Sequence, residues 1–460
     1  MLHDIRDHGA VGDGETLDTA AIQAAVDACA AAGGGTVVLP AGGTYLAGTV
    51  TLRSFVELHV ERGAVLQGSG DWADYTDRIP VGALSNGVVT GSSAQAGMLL
   101  TALDAEGVAV TGGGVIDGAG RAFVTGDDGT IYSMPNERPF TVFLRHCRNV
   151  TVRDVTLRDG ALWTLRLSGC QDVHVHGIRI RNDLKTPNSD GIDLDRCRDV
   201  RISDCDIVSG DDGISLKTCE EFPDWGPTEN VVVSNCTITS TSSALVVGVD
   251  AVAPIRNVVF TGCVIRSSNR AMSVNLGQAG DFENILFAHI VCETRLFGSG
   301  WWGHGEPVFV AVRPWQQEVG HLRNVRFVDV LARSESGVVV HGESPDHIRG
   351  LVLQDVRIEL ARTTSWPGNH QDLRPSPTLG IRAHPTSGIF VENATDVTIR
   401  DCEVSWGAPD PAEYRHVLET RAVDGLVVQG LRGESADPRR WPAVLDLPDP
   451  LPPGSGSGTA

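Results

Sequence analysis

The sequence has few aromatic residues and few basic ones, and it contains no long apolar run. Aromatic side chains make up 5% of the 460 residues, while glycine occurs 53 times. This composition argues against a helical bundle and favours many short strands joined by tight turns. Lysine and arginine number 37 against 58 aspartate and glutamate residues, which gives a net charge of -21. Nucleic acid and anionic membranes are therefore excluded as expected partners.

Several targeting and cofactor signals are also missing. No stretch approaches the roughly 20 apolar residues of a membrane span. The first residues, MLHDIRDHGAVGDG, lack the pattern of a signal peptide. We therefore expect a cytoplasmic protein, or a secreted one if a leader has been removed. The absence of CxxC argues against zinc, and no GKS/T follows the glycine-rich runs, so we expect no metal and no cofactor.

The ten cysteines follow a regular pattern rather than pairing. Four of them come three residues after an apolar Leu: Cys147, Cys170, Cys197 and Cys219. Four others end a strand-and-turn of the type SDC, SNC, TGC or RDC: Cys205, Cys236, Cys263 and Cys402. Regular spacing of this kind predicts reduced thiols that stack as small buried side chains.

An Asn, Asp or Gly followed by a short apolar strand recurs along most of the chain. It occurs at Asn149, Asp172, Asp199, Asn230, Asn257, Asn284, Asn324, Gly350, Asp396 and Gly425. Most intervals are about 23 to 31 residues, which predicts a solenoid. Two longer intervals contain the segments 293–321 and 361–387, and long loops on a rigid scaffold usually carry function.

A helix and a tail flank the repeats. The run DTAAIQAAVDACAAAG predicts a helix over Asp18 to Ala32, with Asp18 or Thr19 as its N-cap, that covers the open N-terminal end of the solenoid. A solenoid holds this length as one domain, so we predict a single domain over 1–445. The Pro, Gly and Ser composition of 446–460 predicts a disordered tail.

The pentapeptide DGIDL at Asp190 to Leu194 returns as DGISL at Asp212 to Leu216. In both, apolar and polar residues alternate, as in a strand with one buried face. If the copies lie on neighbouring coils, Asp190 and Asp212 sit side by side and Asp211 lies next to them. Three carboxyl groups this close repel one another when ionised, so the cluster can supply both an acid and a base.

The same stretch resembles a known family. The NSD at Asn188 to Asp190 and the GDD at Gly210 to Asp212 are similar to the N-T-D and G/Q-D-D motifs of glycoside hydrolase family 28, the polygalacturonase family. The resemblance implies an all-β, right-handed parallel β-helix. It implies that Asp211 is the general acid, that Asp190 and Asp212 hold and activate water, and that O-glycosidic bonds of pectin-type or related oligosaccharides are cleaved with inversion.

Aligning the coils on their apolar pairs predicts a column of residues on successive coils: Trp163, Asp190, Asp212, Ser243 and Arg270. Such mixed chemistry is typical of a cleft wall, so we expect substrate contacts there and at Asn188. Lys217 should stack over Asp195, either as an ion pair or as a ligand contact. The sequence leaves both roles open.

The sequence departs from the family pattern at two motifs. Gly-His-Gly aligns with Ser242-Ser243-Ala244, and Arg-Ile-Lys, which grips the galacturonate carboxylate, aligns with Ser273-Val274-Asn275. Both cations are replaced, although Arg270 lies close enough to supply one charge. We therefore expect an exo-acting enzyme on a different or decorated sugar rather than a plain endo-polygalacturonase.

The long WWGHGEPVFVAVRPW segment is interpreted as part of the substrate pocket. Aromatic faces stack on sugars, and polar groups fix the hydroxyls. The candidate contacts are Trp301, Trp302, His304, Glu306 and Arg313. The other isolated histidines, such as His341, His370 and His384, are interpreted as structural.

Two other functions stay open at this point. A β-helix polysaccharide lyase would need a basic residue and usually calcium, and no such pairing is recognised. A non-catalytic carbohydrate-binding β-helix has no use for a repulsive carboxylate cluster. An oligosaccharide is the expected partner in each case, and the sequence does not specify the oligomeric state.

Overall fold

The computed structural model describes residues 1–80, 95–315, 318–408 and 413–451. The chain divides into two compact units. The first consists of Met1–Ser215 with Cys219–Cys236, and the second of Leu216–Thr218 with Thr237–Ala460. Among the described residues, no helix is both long enough and apolar enough to cross a membrane.

The first unit consists of three ladders of parallel strands. One ladder contains Leu2–Asp4, Gly35–Leu39, Val56–Val60, Ala109–Thr111, Arg148–Arg153, Gln171–His176, Arg198–Ser203 and Thr228–Ser234. The next contains Asp13–Leu17, Thr44–Ala47, Val65–Gly68, Val115–Asp117, Thr156–Arg158, Arg179–Arg181 and Asp206–Ser209. The third contains Val50–Thr51, Gln95–Leu103, Pro139–Arg145, Leu165–Ser168 and Ile192–Asp195.

Shorter elements decorate this unit. A strand at Arg78–Pro80 pairs antiparallel with Gln95–Leu103, and Gly126–Asp127 forms a hairpin with Tyr132–Ser133. Single-turn helices lie at Ile5–His8, Trp72–Asp74, Gly120–Phe123 and Pro223–Trp225.

The second unit repeats the arrangement of three parallel ladders. One contains Ile255–Thr261, Phe282–Thr294, Leu322–Ser334, Ile348–Arg349, Val352–Ala361, Thr398–Arg400 and Val427–Gln429. In a second ladder, Val264–Ser268 and Glu403–Ala408 pair with the later halves of the long strands Phe282–Thr294 and Val352–Ala361, and Thr237–Ser240 pairs with Val264–Ser268. The third contains Ser243–Ala251, Arg270–Leu276, Glu306–Val312, Val338–Gly342, Ile389–Thr395, Leu418–Asp424 and Val444–Leu447.

Both units therefore have the predicted all-β architecture, a parallel β-helix with right-handed crossovers. A strand at Ile214–Thr218 belongs to the large sheet, and His370–Asp372 forms an antiparallel hairpin with Ile381–Ala383. The strand Val444–Leu447 extends past the predicted boundary at 445. Residues 452–460 of the predicted tail lie outside the described residues. The single domain over 1–445 stays a prediction.

The repeated Asn, Asp or Gly marks the bend at the start of each strand. All ten predicted positions have positive φ, from 52° at Asn149 to 74° at Gly350. Asn, Asp and Gly tolerate this left-handed conformation, whereas most residues with a larger Cβ substituent do not. A local backbone requirement therefore produces the sequence repeat.

The N-terminal helix spans Thr19–Ala31 and buries Ile22, Val26 and Cys29. Asp18 is the N-cap residue, one of the two predicted positions. Its side chain does not bond to the helix but accepts hydrogen bonds from the backbone N–H groups of Val11 and Gly12, at 2.7 and 2.9 Å. Its role as a cover for the solenoid end stays a prediction.

The cysteine prediction is confirmed. All ten cysteines are free and buried. The thiols of Cys170 and Cys197 lie 3.4 and 3.2 Å from the carbonyl oxygens of Leu144 and Leu167, each on the preceding coil. The regular spacing in the sequence is thus a stack of small side chains inside the first unit.

Candidate active site

Asp190, Asp211 and Asp212 come together in the first unit. One carboxylate oxygen of each lies within 4.8 Å of the others. The backbone N–H groups of Gly191 and Ile192 donate to the carbonyls of Asp212 and Gly213, at 2.9 and 3.0 Å. These bonds place Asp190 and Asp212 side by side on adjacent coils, as the repeated pentapeptide predicts.

Two backbone donors fix the orientation of the Asp211 carboxyl group. The N–H of Asn188 donates to Oδ2 and that of Asp212 to Oδ1, each over 3.0 Å. Asn188 has φ 55°, which its residue type tolerates and which turns its N–H toward Asp211.

Arg138 contacts this arrangement through Asn188, and its role was not predicted from the sequence. Its Nη2 donates to Asn188 Oδ1 over 2.8 Å, and the side chain is 2% exposed. Burial lowers the pKa of Arg138 to about 10, although the charges of Asp211 and Asp190 act in the opposite direction. Arg138 precedes the buried strand Pro139–Arg145, and no repeat signal in the sequence connects it with the motif 50 residues later.

Within the described ranges, two groups of acidic side chains have the spacing to contact one cation. One is the aspartate cluster, and the other is Asp195, Cys219 and Glu221, whose ligand atoms also lie within 4.8 Å of one another. An arginine accompanies each group. Arg166 lies 3.1 Å from Asp195 and 3.6 Å from Glu221, and Arg138 interacts with the first group.

The predicted column is confirmed within each unit. In the first unit, Leu165 pairs with Ile192, and the N–H of Thr164 donates to Asp190 O over 2.9 Å. In the second, Ser243 pairs with Arg270. The step from Asp212 to Ser243 stays a prediction.

Trp163 and Arg270 are more buried than a cleft wall requires. Trp163 is 3% exposed, and its ring packs 6.1 Å from Phe140 and 4.7 Å from the guanidinium carbon of Arg166. Arg270 donates from Nη2 to Asp372 O over 2.6 Å and lies over the ring of Phe309 at 3.5 Å. Both are mainly interior side chains, and their contact with substrate stays a prediction.

Lys217 has a buried acidic neighbour in the second unit. Its Nζ lies 3.6 Å from Asp250 Oδ2. Asp195, the predicted partner, accepts hydrogen bonds from Arg166 at 3.1 Å and from Cys219 N at 2.8 Å. The Lys217–Asp195 pair stays a prediction.

The two long intervals of the sequence meet in the second unit. Asp372, from the segment SWPGNHQDLRP, accepts the N–H of Gly303 over 2.8 Å. Arg374 forms a bidentate pair with Asp372, at 3.0 and 2.7 Å, and donates to Trp301 O over 2.8 Å. Burial raises the pKa of Asp372, but the hydrogen bonds of Arg374 and the charge of Arg270 outweigh it and hold this pKa well below its usual value.

Glu335 anchors the beginning of both loops. Its Oε2 accepts from Leu296 N at 3.0 Å and Thr364 Oγ1 at 2.8 Å, and its Oε1 accepts from the N–H and hydroxyl of Thr363, each at 2.6 Å. Burial raises the pKa of Glu335, but these hydrogen bonds more than offset that and lower it. The loops are thus held by buried, satisfied polar groups.

A pocket of about 350 Å³ lies between these loops. Residues from both loops line it, including Leu296, Trp301, His304, Trp366, His370 and Arg374. The prediction therefore found Trp301 and His304 but missed Trp366 and Arg374, and it assigned His370 to the structural class. The unusual length of 361–387 and its Trp, His and Arg content are the signals that could have found them.

Three other predicted contacts lie elsewhere. Trp302 is half-buried, and it is not among the described residues that line the pocket. Glu306 and Arg313 are fully buried. Glu306 accepts the N–H of His304 over 2.7 Å, and Arg313 donates to the carbonyls of Leu373 and Arg374. Both side chains thus hold loop backbone, and their contact with a sugar stays a prediction.

His341 and His384 have the structural role that the sequence suggested. His341 Nδ1 lies 2.8 Å from Glu392 Oε2, and His384 Nε2 lies 3.3 Å from Glu419 Oε1. All four side chains are buried. The pairing satisfies polar groups within the interior of the second unit.

Clustered carboxyl groups such as these are used by most glycosidases, and comparison with known families gives the same class. The family model "Glycosyl hydrolases family 28" matches residues 58–294, more than half of the 460 residues. A second model, "Rhamnogalacturonase A/epimerase, pectate lyase-like", matches residues 3–74. The chain belongs to glycosyl hydrolase family 28.

Individual relatives are more distant. A probable polygalacturonase of Vitis vinifera is 31% identical over 252 residues, 52% of this chain and 50% of the relative. The exo-poly-alpha-D-galacturonosidase of Dickeya chrysanthemi is 28% identical over 259 residues, 46% of this chain and 41% of the relative. The chain thus spans about half the length of the curated relatives it matches.

A solved structure is similar over nearly the whole chain. The exopolygalacturonase of Thermotoga maritima aligns with 95% of this chain and 93% of its own, with a TM-score of 0.61 and 20% identity. This similarity establishes the fold.

Proposed function

We propose that the protein is a glycoside hydrolase that removes terminal sugars from pectin-type or related oligosaccharides. The observation that carries this proposal is the meeting of Asp190, Asp211 and Asp212 within 4.8 Å in a family 28 chain. Glycosidases of most families cleave by paired carboxyl groups. The similarity to the Dickeya exo-poly-alpha-D-galacturonosidase supports exo action.

The resemblance to family 28 supports the following roles for the carboxyl groups, and their closeness fits these roles. Asp211 gives a proton to the leaving oxygen, while Asp190 and Asp212 hold and activate water. The backbone bonds from Asn188 and Asp212 fix Asp211 in one orientation, which proton transfer to a bound substrate requires. Asp190 and Asp212 lie side by side, so one water molecule can contact both.

We propose inversion at the anomeric carbon. Inverting enzymes usually hold their carboxyl groups about 6.5 to 9.5 Å apart, whereas the 4.8 Å limit here joins the nearest oxygens. A pair of carboxylates for water and a separate acid support single displacement. Proton NMR of the first sugar released should show the opposite anomer from the substrate, and retention of configuration would contradict these roles.

Asp211→Asn tests the proposal. The near-isosteric amide cannot donate the proton, so turnover should fall by about 10² to 10⁴, the usual share of acid or base catalysis. The loss should be smaller on dinitrophenyl glycosides, whose leaving group needs no proton. Asp154→Asn, at an exposed aspartate of the same unit, is the matched control and should leave turnover unchanged.

The outcomes separate the competing functions. Equal losses on both kinds of substrate would show that Asp211 is not the acid. An unsaturated, ultraviolet-absorbing product would identify a polysaccharide lyase. Sugar binding by the native protein without any turnover would identify a non-catalytic binding protein.

We also propose a reducing location, the cytoplasm. Ten free thiols support it, because disulfides form readily in oxidising compartments. Fractionation of the source cells tests this, and recovery of the protein outside the cytoplasm would overturn it.

A further inference from the structure

The pocket between the two loops, here called the loop pocket, differs in charge from the protein as a whole. Its lining includes Leu296, Trp301, His304, Trp366, His370 and Arg374. The chain carries a net charge of -21. Yet among the described residues that line this pocket there is no carboxylate, while one arginine and two imidazoles are present. An anionic ligand would therefore meet a guanidinium in this lining and no carboxylate that repels it.

The acidic residues close to the loop pocket are already compensated. Asp372 and Glu306 are fully buried. Asp372 pairs with Arg374 at 2.7 Å, and Glu306 lies 3.5 Å from Arg270 Nε. The pocket therefore faces cationic and neutral groups, with the matching anions behind them.

Arg374 keeps donor capacity toward the pocket. Its Nε and Nη2 atoms bind Asp372 and Trp301 O. The Nη1 atom, which carries two N–H groups, makes a single long bond of 3.4 Å to Ser299 O within the described part of the chain. Because the side chain is 26% exposed, a ligand carboxylate can reach this nitrogen.

The remaining lining suits a sugar ring. Trp301 and Trp366 offer indole faces, and Leu296 adds apolar surface. The imidazoles of His304 and His370, whose ring centroids lie 5.6 Å apart, offer polar atoms for hydroxyl groups. A volume of about 350 Å³ is within the usual range of small-molecule pockets.

The position at which the family resemblance places carboxylate recognition carries no cation in this chain. The resemblance described above places a cationic grip at Ser273, Val274 and Asn275, which carry no charge. Asn275 Oδ1 instead accepts a hydrogen bond from Arg313 over 2.5 Å, and Arg313 in turn holds the backbone of the second loop. That position therefore supports the loops.

We propose that the loop pocket binds one sugar ring that carries a carboxylate, with the ring against the indoles and the carboxylate at Arg374. The choice of a sugar rests on the proposed function, whereas the preference for an anion rests on the lining alone. The ligand is either a free acidic monosaccharide or the terminal unit of an oligosaccharide. Both present the same chemistry to the pocket.

Calorimetric titration of the full chain carrying Asp211→Asn tests the proposal without hydrolysis. Galacturonic acid and galactose are a matched pair that differ in the carboxylate. We expect galacturonic acid to bind about 10- to 100-fold more tightly, the equivalent of one charge-assisted hydrogen bond. Equal affinity for the two sugars would overturn the proposal.

Two variants in the same background locate the binding. Arg374→Gln should remove the preference for galacturonic acid over galactose. Arg374→Gln also releases Asp372. Trp366→Ala provides a second test at a half-buried residue, because it keeps the backbone carbonyl that accepts from Arg362, and it should weaken the binding of both sugars. Trp406→Ala, at a half-buried tryptophan outside the lining, is the control. Unchanged affinity in Trp366→Ala would overturn the proposal.

The titrations distinguish a free acidic monosaccharide from the end of an oligosaccharide as the ligand. They also separate the loop-pocket proposal from the proposed function. Similar affinity for galacturonic acid and trigalacturonic acid would identify the monosaccharide as sufficient, and a much tighter trisaccharide would identify a chain end. Selective binding by a protein without hydrolytic activity would refute the proposed function and keep the loop pocket. Hydrolysis without selective binding would refute the loop-pocket proposal and keep the proposed function.

Discussion

Arg138 donates a hydrogen bond to the side chain of Asn188 over 2.8 Å, and the backbone N–H of Asn188 donates to Asp211 over 3.0 Å. A buried cation thus orients the proposed acid through one intermediate residue. This relationship gives Arg138 a positioning role, since its connection to Asp211 runs through Asn188.

Arg138→Gln should lower kcat more than it changes KM. The variant removes a charge-assisted hydrogen bond, so we expect kcat to fall by about 10- to 100-fold, which corresponds to about 1.5 to 3 kcal/mol. Arg121→Gln, at an exposed arginine of the same unit, is the control. The measurements are steady-state kinetics and thermal unfolding of the variant. An unchanged kcat would contradict the positioning role, and so would a loss of activity that a lower Tm explains entirely.

Asp190→Asn and Asp212→Asn should differ from Asp211→Asn in their response to the leaving group. Both residues are proposed to activate water, a step that every substrate needs. We expect nearly complete loss of turnover on natural oligosaccharides and on dinitrophenyl glycosides alike. Recovery of either variant on the activated substrate would assign the acid role to that residue instead.

Free-thiol titration tests the stacked cysteines. In denaturant without reductant, nearly all ten should react, because each is free in the folded chain. In the native protein the reaction should be slow. A hydrogen bond with Cys170 and burial raise the pKa of Cys147, and burial raises that of Cys170, so little thiolate forms. A reductant-treated sample is the control, and a large increase in its thiol count would reveal disulfides.

The second unit should lose stability in acid through Glu392. Burial raises its pKa, but the hydrogen bond from His341 and the charge of Arg382 outweigh this and lower it from 4.5 to about 2. A folded pKa below the unfolded value contributes stability that is fully present above pH 4.5 and is lost as the pH falls through about 2. Denaturant unfolding across this window should show the decline.

Glu392→Gln gives this prediction a direct comparison. At neutral pH the variant should be less stable by about 3 to 5 kcal/mol, because it leaves the buried Arg382 without its carboxylate. Its stability should also fall less steeply in acid. Glu403→Gln breaks an exposed pair with Arg432 and should have little effect. Identical acid profiles for the native protein and Glu392→Gln would contradict the assignment.

The coils were predictable because their requirements are local. A positive φ at Asn149 or Asp172 selects residue types that the sequence displays directly. The same logic located Asp190 and Asp212, since strands of equal pattern stack in register. The column also gave the correct neighbours of Trp163, but register does not report burial, and the ring packs against Phe140.

The loops were not predictable in the same way. Asp372 and Gly303 are 69 residues apart, and Arg138 and Asn188 are 50 residues apart. Neither contact follows a repeat, so the sequence gives no register from which to infer it. These contacts are stabilised by hydrogen bonds between buried polar groups that lie far apart in the sequence.

The strands on both sides of each long interval keep the same register as the other strands of the ladder. Phe287 pairs with Phe327 and Leu353 with Ile399, in the same manner as residues joined by ordinary intervals. The ladders therefore tolerate extra residues between their strands without a change of alignment, because loop closure costs rise slowly with length. The segments that form the loop pocket behave as exchangeable inserts, and a new ligand preference could arise by replacing them while the carboxylate cluster is kept.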